Sequence, residues 1–292
     1  MKTPQWFTSA LAAPAEEVVT EVDGCAVACR CWGPPGAAGI VLVHGGAAHA
    51  HWWDHIAPML GAQYRIAAVD LSGHGDSGRR PAYSLEQWSA EVVAVGDAAG
   101  MAANPVVIGH SMGGFVALAT AGRYPERIGG VAVLDSPVRE RTPEELAARS
   151  HAAFGPLRAY PSREEALSHF RTIPAQEDYL PYVLEHVAET SLRASDRGWT
   201  WKFDPQIFGR DRPGHELLRS VTARVAIFRG ERGLVTPEIG AQMYELLGRV
   251  APVIEIPLAG HHLMLDQPLP LVTGLRTLLA DWQHSAPRRR QD

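Results

Sequence analysis

Apolar positions along the chain gather into short unbroken runs separated by longer stretches of mixed character. The runs are Gly39-Ile40-Val41-Leu42-Val43, Ile66-Ala67-Ala68-Val69, Val106-Val107-Ile108, Val131-Ala132-Val133-Leu134, Val225-Ala226-Ile227-Phe228 and Val253-Ile254-Glu255-Ile256. A strand that is apolar at nearly every position suits a parallel sheet covered on both faces. Ahead of them, Val18, Val19 and Val22 and then Cys25 to Trp32 read as two strands split by Asp23-Gly24, a hairpin signal. Helix-length stretches lie between, at Leu85 to Ala99, Met112 to Arg123 and Ile239 to Leu247. This alternation predicts an α/β fold, mostly parallel, with helices on both faces of the sheet.

One interval breaks the rhythm. From Pro137 to about His215 no strand-like run of comparable strength occurs. Thr142-Pro143-Glu144-Glu145 and Ser162-Arg163-Glu164-Glu165 read as helix starts, and Asp178 to Leu192 carries a long helical pattern. The expectation is a helical insertion over 137–215 in a core built from 1–136 and 216–292.

Composition narrows the class. The chain has 292 residues, 46% of them hydrophobic and 20% charged, enough to bury a large core. Intrinsic disorder and a disulfide-stapled miniprotein are excluded. A net charge of −5, from 27 basic and 32 acidic side chains, argues against nucleic acid as a partner. Cys25, Cys29 and Cys31 are odd in number and share one parity, which reads as small apolar side chains on a buried strand face. No apolar run reaches the roughly 18 residues a membrane helix needs. The Ser9 to Ala13 stretch is too short for a signal sequence, so a cytoplasmic protein is expected. Pro287 to Asp292 reads as a solvated tail.

The chemistry sits where strands end. Gly109-His110-Ser111-Met112-Gly113 matches G-x-S-x-G, preceded by a strand run and followed by a helical one. A serine at such a turn is held exposed and strained, with glycines where side chains would collide with the turn and the neighbouring strand. Its hydroxyl needs a base. His261 lies just past the last strand, after Gly260, and is preferred over the adjacent His262. His74, in the Gly-rich turn Asp70 to Ser77, reads as structural. His44, His49, His51 and His55 include one i, i+4 pair but no third ligand at an interpretable distance, so no metal or cofactor is expected. Trp52, Trp53, Trp199, Trp201 and Phe203 read mainly as packing, with one or two lining the cleft.

With His44-Gly45-Gly46 after the third strand, the Asp70 to Ser77 turn, the Ser111 elbow and Gly260-His261, the chain resembles α/β-hydrolase fold enzymes from Val18 to Trp282. The resemblance implies a mostly parallel eight-stranded sheet with a helical cap inserted after the sixth strand. It also implies an oxyanion hole from the N–H groups of Gly46 and Met112. The acid departs from the commoner pattern. Where relatives place an aspartate, Gly230-Glu231-Arg232-Gly233 has Gly233. Asp135, one strand earlier, is the preferred acid and Glu231 the alternative; the order Ser111, Asp135, His261 is kept. A serine nucleophile fits hydrolysis of a carboxylic ester, lactone or thioester of a small molecule, with carbon–carbon hydrolysis of a vinylogous diketone as the nearest rival. A catalytically silent receptor of the same fold is the non-enzymatic alternative, and a homo-oligomer is compatible with the sequence.

Overall fold

The computed structural model describes residues 3–140, 156–209 and 214–285. The chain opens with helix α1 (Gln5–Leu11), then strands β1 (Glu16–Val22), β2 (Cys25–Trp32), β3 (Ala38–Val43) and β4 (Tyr64–Val69). Helix α2 (Leu85–Ala98), β5 (Val106–His110), α3 (Met112–Arg123) and β6 (Gly130–Leu134) follow. After an insertion, α6 (Glu216–Arg219), β9 (Arg224–Gly230), α7 (Pro237–Leu246), β10 (Val253–Ile256), α8 (Leu263–Asp266) and α9 (Pro268–His284) complete the core. The insertion contributes α4 (Arg163–Ser168), α5 (Pro181–Thr190) and the hairpin β7 (Leu192–Ser195) to β8 (Gly198–Trp201).

Eight strands form one sheet in the order β1-β2-β4-β3-β5-β6-β9-β10. The β1–β2 and β2–β4 pairs are antiparallel and the other pairs are parallel. The Asp23-Gly24 turn closes the first hairpin with Val22 opposite Cys25, and both turn residues have positive φ, 47° and 70°. Two left-handed residues suit the right-handed twist of the strands they join. Along β3, Val41 and Val43 enter the core layer beneath α2 and α3, while Ile40 and Leu42 enter the layer beneath α9. Both faces are dry, which explains the lack of alternation in the apolar run. Cys25, Cys29 and Cys31 are all buried and unpaired, on the one face their parity predicts.

The insertion departs from an all-helical expectation. Asp178 to Leu192 is helical only over Pro181–Thr190, and the chain then turns through a two-stranded sheet. Trp199 and Trp201 pack there against Tyr160, Ala166 and Leu192, a small core belonging to the insertion itself. The helix start at Ser162 holds, with its Oγ accepting the Glu165 N–H at 3.1 Å. The start read at Thr142 lies outside the described residues.

Candidate active site

In a parallel sheet the strands share a direction, so β5, β6, β9 and β10, neighbours in that order, all end at one edge. Ser111 follows β5 and Asp135 follows β6; Gly233 and His261 lie in the connections leaving β9 and β10. Ser111 has φ 52° and ψ −114°, a conformation that costs a non-glycine residue roughly 1–3 kcal/mol. Its N–H is held by the Leu134 carbonyl at 2.9 Å. A Cβ at Gly109 would lie 2.1 Å from the Gly113 carbonyl oxygen, and one at Gly113 would lie 2.3 Å from that of Val43. The glycines are therefore needed for space: the turn and β3 already occupy the volume a side chain would take. Met112 is the first residue of α3, so the helix offers its N–H no acceptor. Gly46 lies beside it, with Met112 Sδ 3.8 Å and Phe208 Cε1 3.3 Å from the position of a Cβ on Gly46.

Asp135 is fully buried, at positive φ (46°), and its carboxylate is saturated. It accepts the N–H groups of Gly230 (3.3 Å), Leu234 (2.6 Å) and Val235 (3.1 Å), and its Oδ2 lies 2.7 Å from His261 Nδ1. Because Nδ1 donates to the carboxylate, the lone pair of His261 is on Nε2, which is buried and has no hydrogen-bond partner. Glu231 is exposed and accepts the Leu258 N–H at 2.6 Å. A Cβ on Gly233 would lie 2.3 Å from Asp135 Oδ1. The glycine at 233 thus leaves open the space that the Asp135 carboxylate fills.

The remaining histidines divide by what they hold. His110 Nε2 donates to the His261 carbonyl at 2.9 Å, and His262 Nε2 donates to the Pro174 carbonyl of the insertion at 2.8 Å. Burial, followed by the neighbouring His261 ring, pushes His110 well below the usual histidine range and His262 down to about 3. Asp266 Oδ2 accepts the Gly260 N–H at 2.5 Å and so braces the turn that carries His261. Sequence reasoning missed Asp266, Pro174 and Phe208, which sit in segments without a recognisable motif.

The four early histidines lie apart from one another in role. His44 Nε2 accepts the Leu71 N–H, His55 bonds the Met264 carbonyl, and His49 bonds Ser191 Oγ. His51 meets Asp54 at 2.8 Å and, across the sequence, His186 meets the same carboxylate oxygen at 3.0 Å. In the Asp70 to Ser77 turn, Asp70 accepts the Ala50 and Asp76 N–H groups, and Gly75 N–H reaches the Lys202 carbonyl. His74 sits in that turn, bonded to the Ser72 carbonyl at 3.3 Å. Trp52 and Trp53 are buried, as expected for packing, and Trp52 lies edge-on to His262.

Residues 40–273 match the alpha/beta hydrolase family. The chain belongs to that family. Esterase Rv0045c of Mycobacterium tuberculosis is 26% identical over 268 residues, covering 89% of each chain. The pimeloyl-acyl-carrier-protein methyl ester esterase of Edwardsiella ictaluri is 27% identical over 258 residues, covering 82% of this chain and 92% of that one. The solved thioesterase domain from the curacin biosynthetic pathway superposes with a TM-score of 0.74 at 23% identity, covering 90% of this chain and 99% of the domain. That last likeness concerns the fold. No helix among the described residues is long and apolar enough to cross a membrane.

Proposed function

We propose that the protein is a serine hydrolase that cleaves a carboxylic ester of a small molecule through an acyl-enzyme on Ser111. The observation that carries this reading is the buried Asp135–His261 pair, 2.7 Å apart, on the sheet edge that presents the strained Ser111 turn. The named esterases among the relatives support the reaction class. Ser111 Oγ attacks the ester carbonyl while His261 Nε2 takes its proton, and Asp135 holds the other ring nitrogen protonated. The carbonyl oxygen becomes an alkoxide and takes hydrogen bonds from the Gly46 and Met112 N–H groups. Collapse expels the alcohol, which receives the proton from His261. Water, deprotonated by the same ring, then releases the acid and regenerates Ser111. The described part of the insertion acts as a cap over this edge: Pro174, Gln176 and Phe208 reach it.

A fluorophosphonate probe tests the assignment directly. Incubation with the probe, followed by peptide mass mapping, is expected to place one adduct on Ser111 and to abolish turnover of p-nitrophenyl acetate and butyrate. Ester turnover with an adduct elsewhere would refute the nucleophile. No adduct and no turnover would leave the fold as a receptor, and cleavage of a ring-fission diketone but no ester would move the reaction to a carbon–carbon bond.

A further inference from the structure

His110, His261 and His262 come together although only one of them has a role in ester hydrolysis. They are 1%, 3% and 2% exposed, and their rings lie 4.7 to 5.4 Å apart, centre to centre. Each ring can bring a nitrogen within 4.8 Å of a nitrogen on the other two. In each ring one nitrogen is already a donor: to the His261 carbonyl, to the Asp135 carboxylate and to the Pro174 carbonyl, respectively. The other nitrogen, His110 Nδ1, His261 Nε2 or His262 Nδ1, is buried and has no hydrogen-bond partner. Such a nitrogen carries a lone pair that buried structure normally does not leave unused.

We propose that these three imidazoles form a binding site for one divalent transition-metal ion of the zinc class, whose occupancy switches hydrolysis off. Neutral imidazole is a preferred ligand of such ions. A bound imidazole characteristically donates its second N–H to a carboxylate or a carbonyl, which fixes the tautomer and aims the lone pair. All three rings have that outer bond, and the one behind His261 is an anion. Ligand nitrogens around a tetrahedral zinc stand about 3.4 Å apart, given Zn–N bonds of roughly 2.0–2.1 Å. One nitrogen from each ring already lies within 4.8 Å of one from each of the other two. Ser111 borders the cluster on the side of His110 Nδ1: a Cβ on Gly45 would lie 3.0 Å from that nitrogen and 3.3 Å from Ser111 Cβ. Water or a substrate oxygen would complete the coordination.

The second histidine cluster shows what such a site is not. His51 and His186 both direct a nitrogen at Asp54 Oδ2, and the Arg30 guanidinium occupies the other oxygen at 2.9 Å. That carboxylate already has its cation. At the three-histidine cluster none of the ring hydrogen bonds involves a Lys or Arg side chain.

Metal binding stands on the geometry alone; inhibition rests on His261 acting as the base proposed above. The experiment separates the two. The full chain is stripped with EDTA, dialysed, and titrated with Co²⁺ followed by visible absorption, then with Zn²⁺ followed by p-nitrophenyl acetate hydrolysis. One equivalent of Co²⁺ is expected to give the spectrum of a low-coordinate histidine site. Zn²⁺ is expected to lower turnover by more than about 10-fold, reversibly with EDTA, and to protect Ser111 from the fluorophosphonate. His262→Gln, and separately His110→Asn, each checked for an unchanged melting temperature, are expected to weaken Co²⁺ binding and Zn²⁺ inhibition by at least about 10-fold, measured against each variant's own metal-free rate. No stoichiometric Co²⁺, or binding unmoved in a folded variant, overturns the site. Histidine-dependent binding with full activity overturns the inhibition, and histidine-dependent binding to a protein that hydrolyses no ester and takes no probe supports the site while the functional reading falls.

Discussion

Asp135 concentrates more hydrogen bonds than any other side chain of the candidate site. Three backbone N–H groups and one ring N–H converge on a carboxylate with no solvent contact. An amide there would turn its NH₂ toward a backbone donor, or donate it to His261 Nδ1 and force the ring proton onto Nε2. Asp135→Asn is therefore expected to lower kcat by roughly 10⁴ through the wrong imidazole tautomer. It should also cost about 1–3 kcal/mol of stability from an unmatched buried donor. Glu231→Gln is expected to change kcat less than threefold, because its carboxylate serves the Leu258 N–H at the surface. Steady-state kinetics and thermal unfolding on both variants decide between them; the opposite ranking would make Glu231 the acid. The position that relatives use can be reopened only by vacating this one. Gly233→Asp alone should be inactive, since its Cβ meets the Asp135 carboxylate, whereas Asp135→Gly with Gly233→Asp should recover at least tenfold over Asp135→Gly. Asp135 was legible because an aspartate ended an apolar run; that Gly233 is the complementary gap became visible only in three dimensions.

Elements that span the core announced themselves and those that lie on it did not. The β2 and α3 limits coincide with the pattern in the chain, Cys25 to Trp32 and Met112 to Arg123. Helix α3 owes this to burial along most of its length, and β2 to alternation: Cys25, Val27, Cys29 and Cys31 are buried while Ala26 is exposed and Ala28 and Arg30 are half-buried. The β7–β8 hairpin escaped because its strands are four residues each and mostly half-exposed, so Trp199 and Trp201 read as isolated aromatics. Helix α1 escaped for a similar reason, burying only Phe7 and Ala10 in seven residues. The same contrast in packing predicts opposite effects of one substitution. Gly113→Ala pushes a methyl against the β3 backbone and should cost at least the roughly 1–3 kcal/mol typical of overpacking. Gly240→Ala, inside α7 with no atom nearer than 3.5 Å to the new methyl, should stabilise by about 0.5–1 kcal/mol. Urea unfolding measures both, and equal signs would contradict the packing argument.

Across the whole molecule the site is assembled from segments far apart in the chain; the His110 to His261 bond alone spans 151 residues. A one-dimensional reading finds the strand-end residues because topology gathers strand ends. It does not find contributions from the insertion, such as Pro174, whose partners are set by how two layers dock. Burial of histidine is equally a property of the whole, and it has a consequence for acid stability. Burial holds His44 and His55 at about 4 and His49 well below its ordinary range; in metal-free protein His262 and His110 are lowered too. An unfolded histidine titrates near 6.5. Below that pH the unfolded chain takes up protons that these rings refuse, so stability falls as pH drops from about 6.5 toward 4. Asp70 and Asp266, pushed up to about 6 by burial, and Glu91, raised for the same reason, work in the other direction. The fold binds their protons first and regains stability as pH falls from about 6 to the ordinary carboxylate range. Five histidines outnumber three carboxylates, and each unmatched group removes up to about 1.4 kcal/mol per pH unit. The melting temperature of EDTA-treated protein should hold level from pH 8 to 7 and decline from about pH 6.5, before most exposed carboxylates titrate. His55→Gln, which keeps a donor for the Met264 carbonyl but cannot be protonated, should melt lower at pH 8 yet lose less on acidification. A wild-type profile that stays flat to pH 5, or a His55→Gln profile as steep as the parent's, would show that the buried rings do not govern acid stability.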